Sequence, residues 1–178
     1  MKASRTERWR LIGVVVLSVG SWLISHTNVV VADEPAEPLV KTTHVYKSVG
    51  DVKIQADVYR PKGQAVRPVV VWIHGGALIV GSRTQVPKQI LELCTRERFV
   101  FVSIDYRLAP EVKLPVIAED LKDALAWVHR EGPQVFQGDA RRVVVTGGSA
   151  GGFLTMLSGA IAEPKPKALV AYWGYGDI

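Results

Sequence analysis

Four apolar runs rich in β-branched residues constrain the fold of this chain more than any other feature. They are continuous rather than alternating, and they cover residues 68–73, 99–104, 143–146 and 168–173. A strand that is apolar on both faces is typical of a parallel sheet with helices packed on either side. Three segments with helical spacing of apolar residues lie between the runs: residues 85–96, 115–130 and 150–162. Strands that alternate with helices predict an α/β fold with a mostly parallel sheet and helices on both faces.

Two more strands are predicted ahead of the first run. Residues 44–49 and 52–59 carry strand-like patterns, and Gly50-Asp51 between them suits a tight hairpin turn. The folded domain is therefore expected over residues 42–178.

The first 32 residues have the pattern of an export signal. Four basic residues precede an apolar stretch over residues 11–24, and the small residue Ala32 is suited to cleavage before Asp33. An uncleaved membrane anchor is the alternative, but residues 25–28 are polar and interrupt the ~20 apolar residues that a span needs. We predict a signal peptide over residues 1–32, a linker over residues 33–41, and a periplasmic or secreted protein with no stable membrane span after cleavage.

Charge and cysteine content exclude several kinds of partner. The formal charge of +5 falls to +2 without residues 1–32, because four of 22 basic and one of 17 acidic residues lie there, leaving 18 against 16. Such a balance does not indicate a nucleic-acid partner, which requires a clustered basic face. Cys94 is the single cysteine, so neither an intramolecular disulfide nor a multi-cysteine metal site is expected. No metal or organic cofactor is predicted.

Residues 147–151 read Gly-Gly-Ser-Ala-Gly and match the pattern G-x-S-x-G. The motif follows a predicted strand and precedes a predicted helix, which is the context of a nucleophilic serine on a sharp turn. Glycines two residues either side would relieve clashes in that turn. A glycine-rich phosphate-binding turn is the alternative, but neither G-x-G-x-x-G nor Gly-Lys-Ser/Thr is present. Ser149 is the candidate nucleophile.

His74-Gly75-Gly76-Ala77 directly follows another predicted strand. Glycines at such a position let backbone N–H groups approach a substrate. N–H donors of this kind stabilise the oxyanion of a tetrahedral intermediate, and removing one costs about 3–4 kcal/mol. For His74, a hydrogen bond that supports the loop is favoured over a catalytic role.

Together these motifs resemble the hormone-sensitive-lipase-like (fold-3) esterases and lipases of the α/β-hydrolase superfamily. The resemblance runs from about residue 40 to residue 178. It includes residues 74–77, the segment Asp-Tyr-Arg-Leu-Ala-Pro-Glu at 105–111, and residues 138–152. Secreted esterases that are feruloyl-esterase-like share much of this pattern.

The resemblance implies a role for each matching residue. Ser149 would be the nucleophile, the amides of Gly76, Ala77 and Ala150 would form the oxyanion hole, and His74 and Gly75 would support the loop. The family usually has a third glycine at the position of Ala77. The extra methyl group would narrow the space for the acyl part of the substrate or change the angle of the loop. Four charged residues are interpreted as a structural network beneath the site rather than as catalysts: Asp105, Arg107, Glu111 and Asp120. His129 is interpreted as a surface residue at a helix end.

A serine nucleophile needs a neighbouring base, and in α/β-hydrolases the order is Ser, then Asp or Glu, then His. His26, His44, His74 and His129 all precede Ser149. We therefore expect a C-terminally truncated product or partial sequence whose activity on its own is doubtful. The predicted function is a carboxylic-ester hydrolase that forms an acyl-serine intermediate on small or short-acyl esters. The alternative is an exported, non-catalytic remnant or binding protein.

Overall fold

The computed structural model describes residues 39–175, which form one mixed sheet flanked by three helices. The elements in chain order are β1 (Val40–Val49), β2 (Val52–Arg60), β3 (Arg67–Ile73), α1 (Lys88–Arg96), β4 (Val100–Ile104), α2 (Leu114–Val135), β5 (Gly138–Gly148), α3 (Ala150–Ile161) and β6 (Ala168–Tyr172). The predicted signal peptide and residues 33–38 of the predicted linker lie outside the described residues.

The six strands are ordered β1-β2-β4-β3-β5-β6. β1 and β2 form an antiparallel hairpin in which Val49 pairs with Val52 around Gly50, whose φ of +57° suits the tight turn. β2 also runs antiparallel to β4, whereas β4, β3, β5 and β6 are mutually parallel. The predicted α/β fold with a mostly parallel sheet is confirmed.

The sheet register brings three loop starts to one edge. Ile73 pairs with Ile104 on β4 and with Gly147 on β5. Because parallel strands end together, the segments that begin at His74, Asp105 and Ser149 leave the sheet side by side. This edge contains both predicted motifs.

Alternate residues of β3 face opposite sides of the sheet, and each side is covered by helices. Val69, Val71 and Ile73 join the larger core with α2 and α3. Trp72 joins a smaller core with Cys94 and Phe101 on the α1 side. The period-2 alternation of a strand explains this division, since a buried strand must be apolar on both faces.

Four element boundaries differ from the sequence predictions by three residues or more. β1 begins at Val40, so residues 40 and 41 belong to the sheet and not to the predicted linker. α1 begins at Lys88 because Pro87, with ψ 122°, is extended at the helix start. α2 continues to Val135 through Pro133. β5 extends back to Gly138, so it includes the stretch that was expected only to lead into the strand.

The extension of α2 corrects the interpretation of His129. This residue lies inside the helix rather than at its end, and it is half-buried. Both ring nitrogens are buried and have no hydrogen-bond partner among the described residues. Burial lowers the pKa of His129, which keeps the ring neutral.

Candidate active site

Ser149 occupies the single residue between β5 and α3. Its backbone has φ 56° and ψ −122°, a conformation that non-glycine residues rarely adopt. The Ser149 N–H donates to the carbonyl oxygen of Tyr172 at 3.0 Å, and its carbonyl accepts from Phe153 N–H at 3.0 Å. These two bonds tie the strained residue to β6 and to the first turn of α3. Strain held in place by its surroundings is common at functional sites.

The glycines two residues before and after Ser149 allow its turn to close. A Cβ atom at Gly147 would lie 2.4 Å from the Gly151 carbonyl oxygen. A Cβ atom at Gly151 would lie 2.1 Å from the carbonyl oxygen of Ile73 on the neighbouring strand. Both distances are far below van der Waals contact, so the structure requires glycine at both positions of the motif.

The loop after β3 lies directly against this turn. A Cβ atom at Gly75 would stand 2.9 Å from the Gly148 carbonyl oxygen and 3.4 Å from the Ser149 Cβ. The two motifs, 72 positions apart when counted from Gly75 to Gly147, are therefore in contact. The structure thus brings the predicted nucleophile and the predicted oxyanion loop together.

The loop then turns through three consecutive left-handed residues: φ is 105° at Gly76, 53° at Ala77 and 65° at Leu78. The N–H groups of Ile79 and Val80 both donate to the Gly76 carbonyl oxygen at 3.0 Å, which closes the turn. Among the described residues, no backbone carbonyl accepts from the N–H of Gly76 or Ala77. Ala150 is the first residue of α3, where a helix has no internal acceptor for its N–H. Within residues 39–175, none of the three amides predicted for the oxyanion hole donates to a backbone carbonyl.

His74 is buried inside the loop that it begins. Its Nδ1 donates to the carbonyl oxygen of Gly75 at 2.7 Å, because a carbonyl can only accept. The ring stacks on Tyr106 with centroids 4.3 Å apart, and the Tyr106 hydroxyl donates to the His74 carbonyl oxygen at 3.0 Å. Gly81, with φ +117°, covers the ring so closely that a Cβ atom there would lie 2.4 Å from Nδ1. Burial lowers the pKa of His74, which favours the neutral form of the ring.

Three of the four charged residues assigned to a network do form ion pairs. The Arg107 guanidinium donates to both carboxylate oxygens of Asp120 at 2.7 Å, and Lys47 pairs with the same carboxylate at 2.7 Å. Burial alone would raise the pKa of Asp120, but the hydrogen bonds from Arg107 and Lys47 outweigh it and lower that pKa. Glu111 differs: it is exposed and has no ion-pair partner within residues 39–175.

Asp105 pairs with a residue that the sequence did not single out. Arg83 bridges the carboxylates of Asp105 and Asp57. Neither Arg83 nor Asp57 lies in a recognisable motif, and their contact joins positions 26 residues apart. The charge of Asp57 did not distinguish it in the sequence, because β2 also contains Lys53, Gln55 and Arg60.

No histidine of the described chain forms a hydrogen bond with the Ser149 hydroxyl. His74 is turned into its own loop, His129 lies within α2, and His44 on β1 is within 2.8 Å of the Thr42 hydroxyl. Cys94 is buried, and burial raises the pKa of its thiol to about 12, which disfavours the reactive thiolate. Among residues 39–175, no group of three or more His, Cys, Asp and Glu side chains could hold a metal ion.

Two cavities flank the loop edge of the sheet. An apolar groove of about 210 Å³ is lined by Trp72, Ile90, Tyr172 and Trp173, among others. It begins beside the nucleophile turn, because a Cβ atom at Gly148 would be 3.7 Å from both indole rings. A larger cavity of about 720 Å³ lies between the β1–β2 hairpin and the loops after β3 and β4, with Ile79 and Tyr106 in its lining.

No helix of the described residues is long and apolar enough to cross a bilayer.

Residues 56–167 match the family BD-FAE. Among solved structures, esterase LipW from Mycobacterium marinum is 32% identical with a TM-score of 0.61, and the match covers 74% of this chain and 41% of that one. A fungal esterase from Rhizomucor miehei is 28% identical with a TM-score of 0.69, covering 82% of this chain and 47% of that one. The match thus spans less than half of either esterase.

Sequence relatives include a different class of enzyme. The non-reducing polyketide synthase Preu6 of Preussia isomera is 37% identical over 153 residues, which is 78% of this chain but 7% of that protein. The chain therefore corresponds to one small part of such a synthase. The resemblance to α/β-hydrolase esterases is confirmed by the family match and by both solved structures.

Proposed function

We propose that this chain, which belongs to the BD-FAE family, is the nucleophile-bearing part of a carboxylic-ester hydrolase. The contact between Gly75 and the Ser149 turn carries this proposal. It brings the loop that carries the proposed oxyanion donors against the strained serine. A nucleophile and oxyanion donors are two of the parts that acyl transfer requires. The esterases LipW and that of Rhizomucor miehei share this fold, which adds support.

In the proposed reaction, the Ser149 oxygen attacks the ester carbonyl carbon. The carbonyl oxygen becomes an oxyanion, and the N–H groups of Gly76, Ala77 and Ala150 donate to it. When the intermediate collapses, the bond to the alcohol oxygen breaks and the acyl group remains on Ser149. Water then releases the acid. The serine proton must pass to a base and on to the leaving alcohol, a role that a histidine later in the chain performs in α/β-hydrolases.

Small or short-acyl esters are the proposed substrates. An alanine at position 77 would leave less space for the acyl group than the glycine that the family usually has there. The groove next to Gly148 has a volume of about 210 Å³, which is small compared with pockets of ~300–1,000 Å³ for drug-sized ligands. Both features favour a compact acyl group.

Acyl transfer to Ser149 tests the proposal. A full-length version, in which the chain is joined to the acid- and histidine-bearing C-terminal part of an esterase of this fold, is incubated with p-nitrophenyl acetate. The peptide that contains Ser149 is examined by mass spectrometry for acetylation while nitrophenol release is followed. We expect a Ser149→Ala variant to reduce both signals to background. Ser158→Ala is the control, since Ser158 lies on the same helix but donates to the Thr155 carbonyl. Acetylation or turnover that persists in Ser149→Ala refutes the nucleophile.

The second candidate is a non-catalytic binding protein that keeps the front of the hydrolase fold. The buried, loop-directed position of His74 favours it, because the histidine nearest in the fold to this edge cannot serve as the base in its observed orientation. This candidate predicts saturable binding of p-nitrophenyl acetate or its product acid without acetylation of Ser149.

A further inference from the structure

The oxyanion loop, defined as residues 75–82, has a conformation that it would not adopt by itself. Its three consecutive left-handed residues include the non-glycine residues Ala77 and Leu78. Each such residue costs free energy and persists only where the surrounding structure imposes it. Contacts at the ends of the loop must therefore provide the constraint.

The N-terminal end of the loop is held by packing. His74 lies between Tyr106 and Gly81, and its Nδ1 bonds to the Gly75 carbonyl. Within the loop, the Leu78 carbonyl accepts from Ala109 N–H at 2.8 Å. These contacts do not involve charged groups.

The C-terminal end is held by Arg83, which follows the loop directly. The Arg83 N–H donates to Asp105 Oδ1 at 2.7 Å, and its guanidinium Nη1 donates to Oδ2 of the same carboxylate at 2.6 Å. The guanidinium Nε donates to Asp57 Oδ1 at 3.0 Å. The Arg83 carbonyl oxygen accepts from the Ser103 hydroxyl at 2.7 Å. Backbone and side chain of this one residue thus bond to β2, to β4 and to the segment after β4.

The two carboxylates that hold Arg83 are themselves fixed. Asp57 is fully buried on β2, where Thr43 donates to Oδ1 at 2.7 Å and Lys41 pairs with Oδ2 at 2.8 Å. The Asp105 backbone is held on both sides: its N–H donates to Gln55 and its carbonyl accepts from the Tyr46 hydroxyl. Strands β1, β2 and β4 therefore form a rigid frame around the arginine.

We propose that Arg83 is a positioning residue for the oxyanion loop: by bridging Asp57 and Asp105, it holds the Gly76 and Ala77 amides toward Ser149. This inference rests on the proposed function, which makes those amides the oxyanion donors. Arginine suits the task because its planar head presents several N–H groups in a fixed fork. A lysine ammonium can keep the charge but cannot reproduce the two-sided bridge.

Amide hydrogen exchange of the 15N-labelled full chain tests the proposal. The N–H groups of Ile79 and Val80 donate to the Gly76 carbonyl, so their protection reports directly on the closed loop. In Arg83→Gln we expect their exchange to accelerate about tenfold or more, the scale of one lost charge-assisted hydrogen bond. The 15N shifts of Gly76 and Ala77 should move at the same time, while Val71 in the sheet keeps its protection.

Three further variants test whether the effect is specific to the bridge formed by Arg83. Arg83→Lys should restore part of the protection, since it keeps the charge. Asp105→Asn should accelerate the same amides, and it provides a second route if Arg83→Gln does not fold. Arg142→Gln is the matched control, because Arg142 pairs with Asp139 at 2.7 Å away from the loop; it should leave Ile79 and Val80 unchanged.

Unchanged exchange at Ile79 and Val80 in both Arg83→Gln and Asp105→Asn would overturn the proposal. An equal rise at Val71 would also overturn it, because Arg83 would then serve global stability alone. Both readouts are independent of turnover. If the full-length version fails to acylate Ser149 while Arg83→Gln accelerates exchange in the loop, only the proposed function is contradicted. If Ser149 is acylated while Arg83→Gln has no effect on exchange, only this inference is contradicted.

Discussion

Gly75 and Ser149 approach each other so closely that a Cβ atom at position 75 would lie 3.4 Å from the Ser149 Cβ and 2.9 Å from the carbonyl oxygen of Gly148. The backbone of one motif thus packs directly on the backbone of the other. A side chain at position 75 would have to push the two apart, and the geometry of the candidate site depends on their contact.

This contact predicts that one added methyl group at position 75 destabilises the fold. Gly75→Ala should lower the free energy of unfolding by about 1–3 kcal/mol, the usual cost of overpacking, because the obstructing atom is backbone and cannot rotate away. Gly148→Ala is the matched control, since its Cβ would meet only atoms at 3.7 Å or beyond. Urea unfolding of both variants measures the difference, and equal stability of the two would contradict the described packing.

Burial of His74 predicts a pH dependence of stability. The pKa of His74 is lowered in the folded state, so the unfolded state binds more protons below the ordinary value of about 6.5. The neutral ring therefore contributes to the free energy of unfolding above that pH, and this contribution is lost as the pH falls through the pKa of the folded state.

Replacing His74 by Asn tests this dependence, because the Asn amide can still donate to the Gly75 carbonyl but does not titrate. We expect urea unfolding between pH 5 and 7.5 to depend less steeply on pH in His74→Asn than in the unmodified chain. His129 is shifted in the same direction, so part of the slope should remain. An unchanged slope in His74→Asn would contradict the assignment.

The exposed edge strand β6 leads us to predict that copies of this chain associate with one another. It lies at one edge of the described sheet, and its side chains are exposed, including Leu169 and Val170, the latter at 42%. An apolar, uncharged edge is a template for pairing with another chain. Val170→Lys should shift the protein toward the monomer in size-exclusion chromatography with light scattering. Val52→Lys, an exposed change at the hairpin, should not. A monomer at all concentrations in the unmodified chain would refute the prediction.

Export of the chain is predicted from residues 1–32. Expression in a Gram-negative host should yield periplasmic protein whose first residue is near Asp33. N-terminal sequencing of the exported form measures this directly. Cytosolic protein that retains Met1 would rule out a cleaved signal, and membrane-bound protein that retains it would favour the anchor alternative.

The order of strands and helices could be predicted from the sequence because each element carries its own periodic pattern. The runs at residues 68–73 and 99–104 are apolar on both faces, and β3 and β4 lie there. Boundaries were less predictable: α2 continues past Arg130 although Gly132 and Pro133 normally end helices. Phe136 packs against Gly132, since a Cβ atom at that glycine would lie 2.7 Å from its ring, and such tertiary packing outweighs weak local propensity.

The residue types of the candidate site could be recognised from the sequence, because local backbone geometry requires the glycines around Ser149 and after His74. The contacts between these residues depend on how distant segments pack in the folded protein. The contact of Gly75 with the Ser149 turn, the burial of His74 against Tyr106, and the bridge from Arg83 to Asp57 and Asp105 all join distant parts of the chain. A charged side chain has no sequence period that reveals its partner, because ion pairs depend on distance in the folded sheet and not on spacing along the chain.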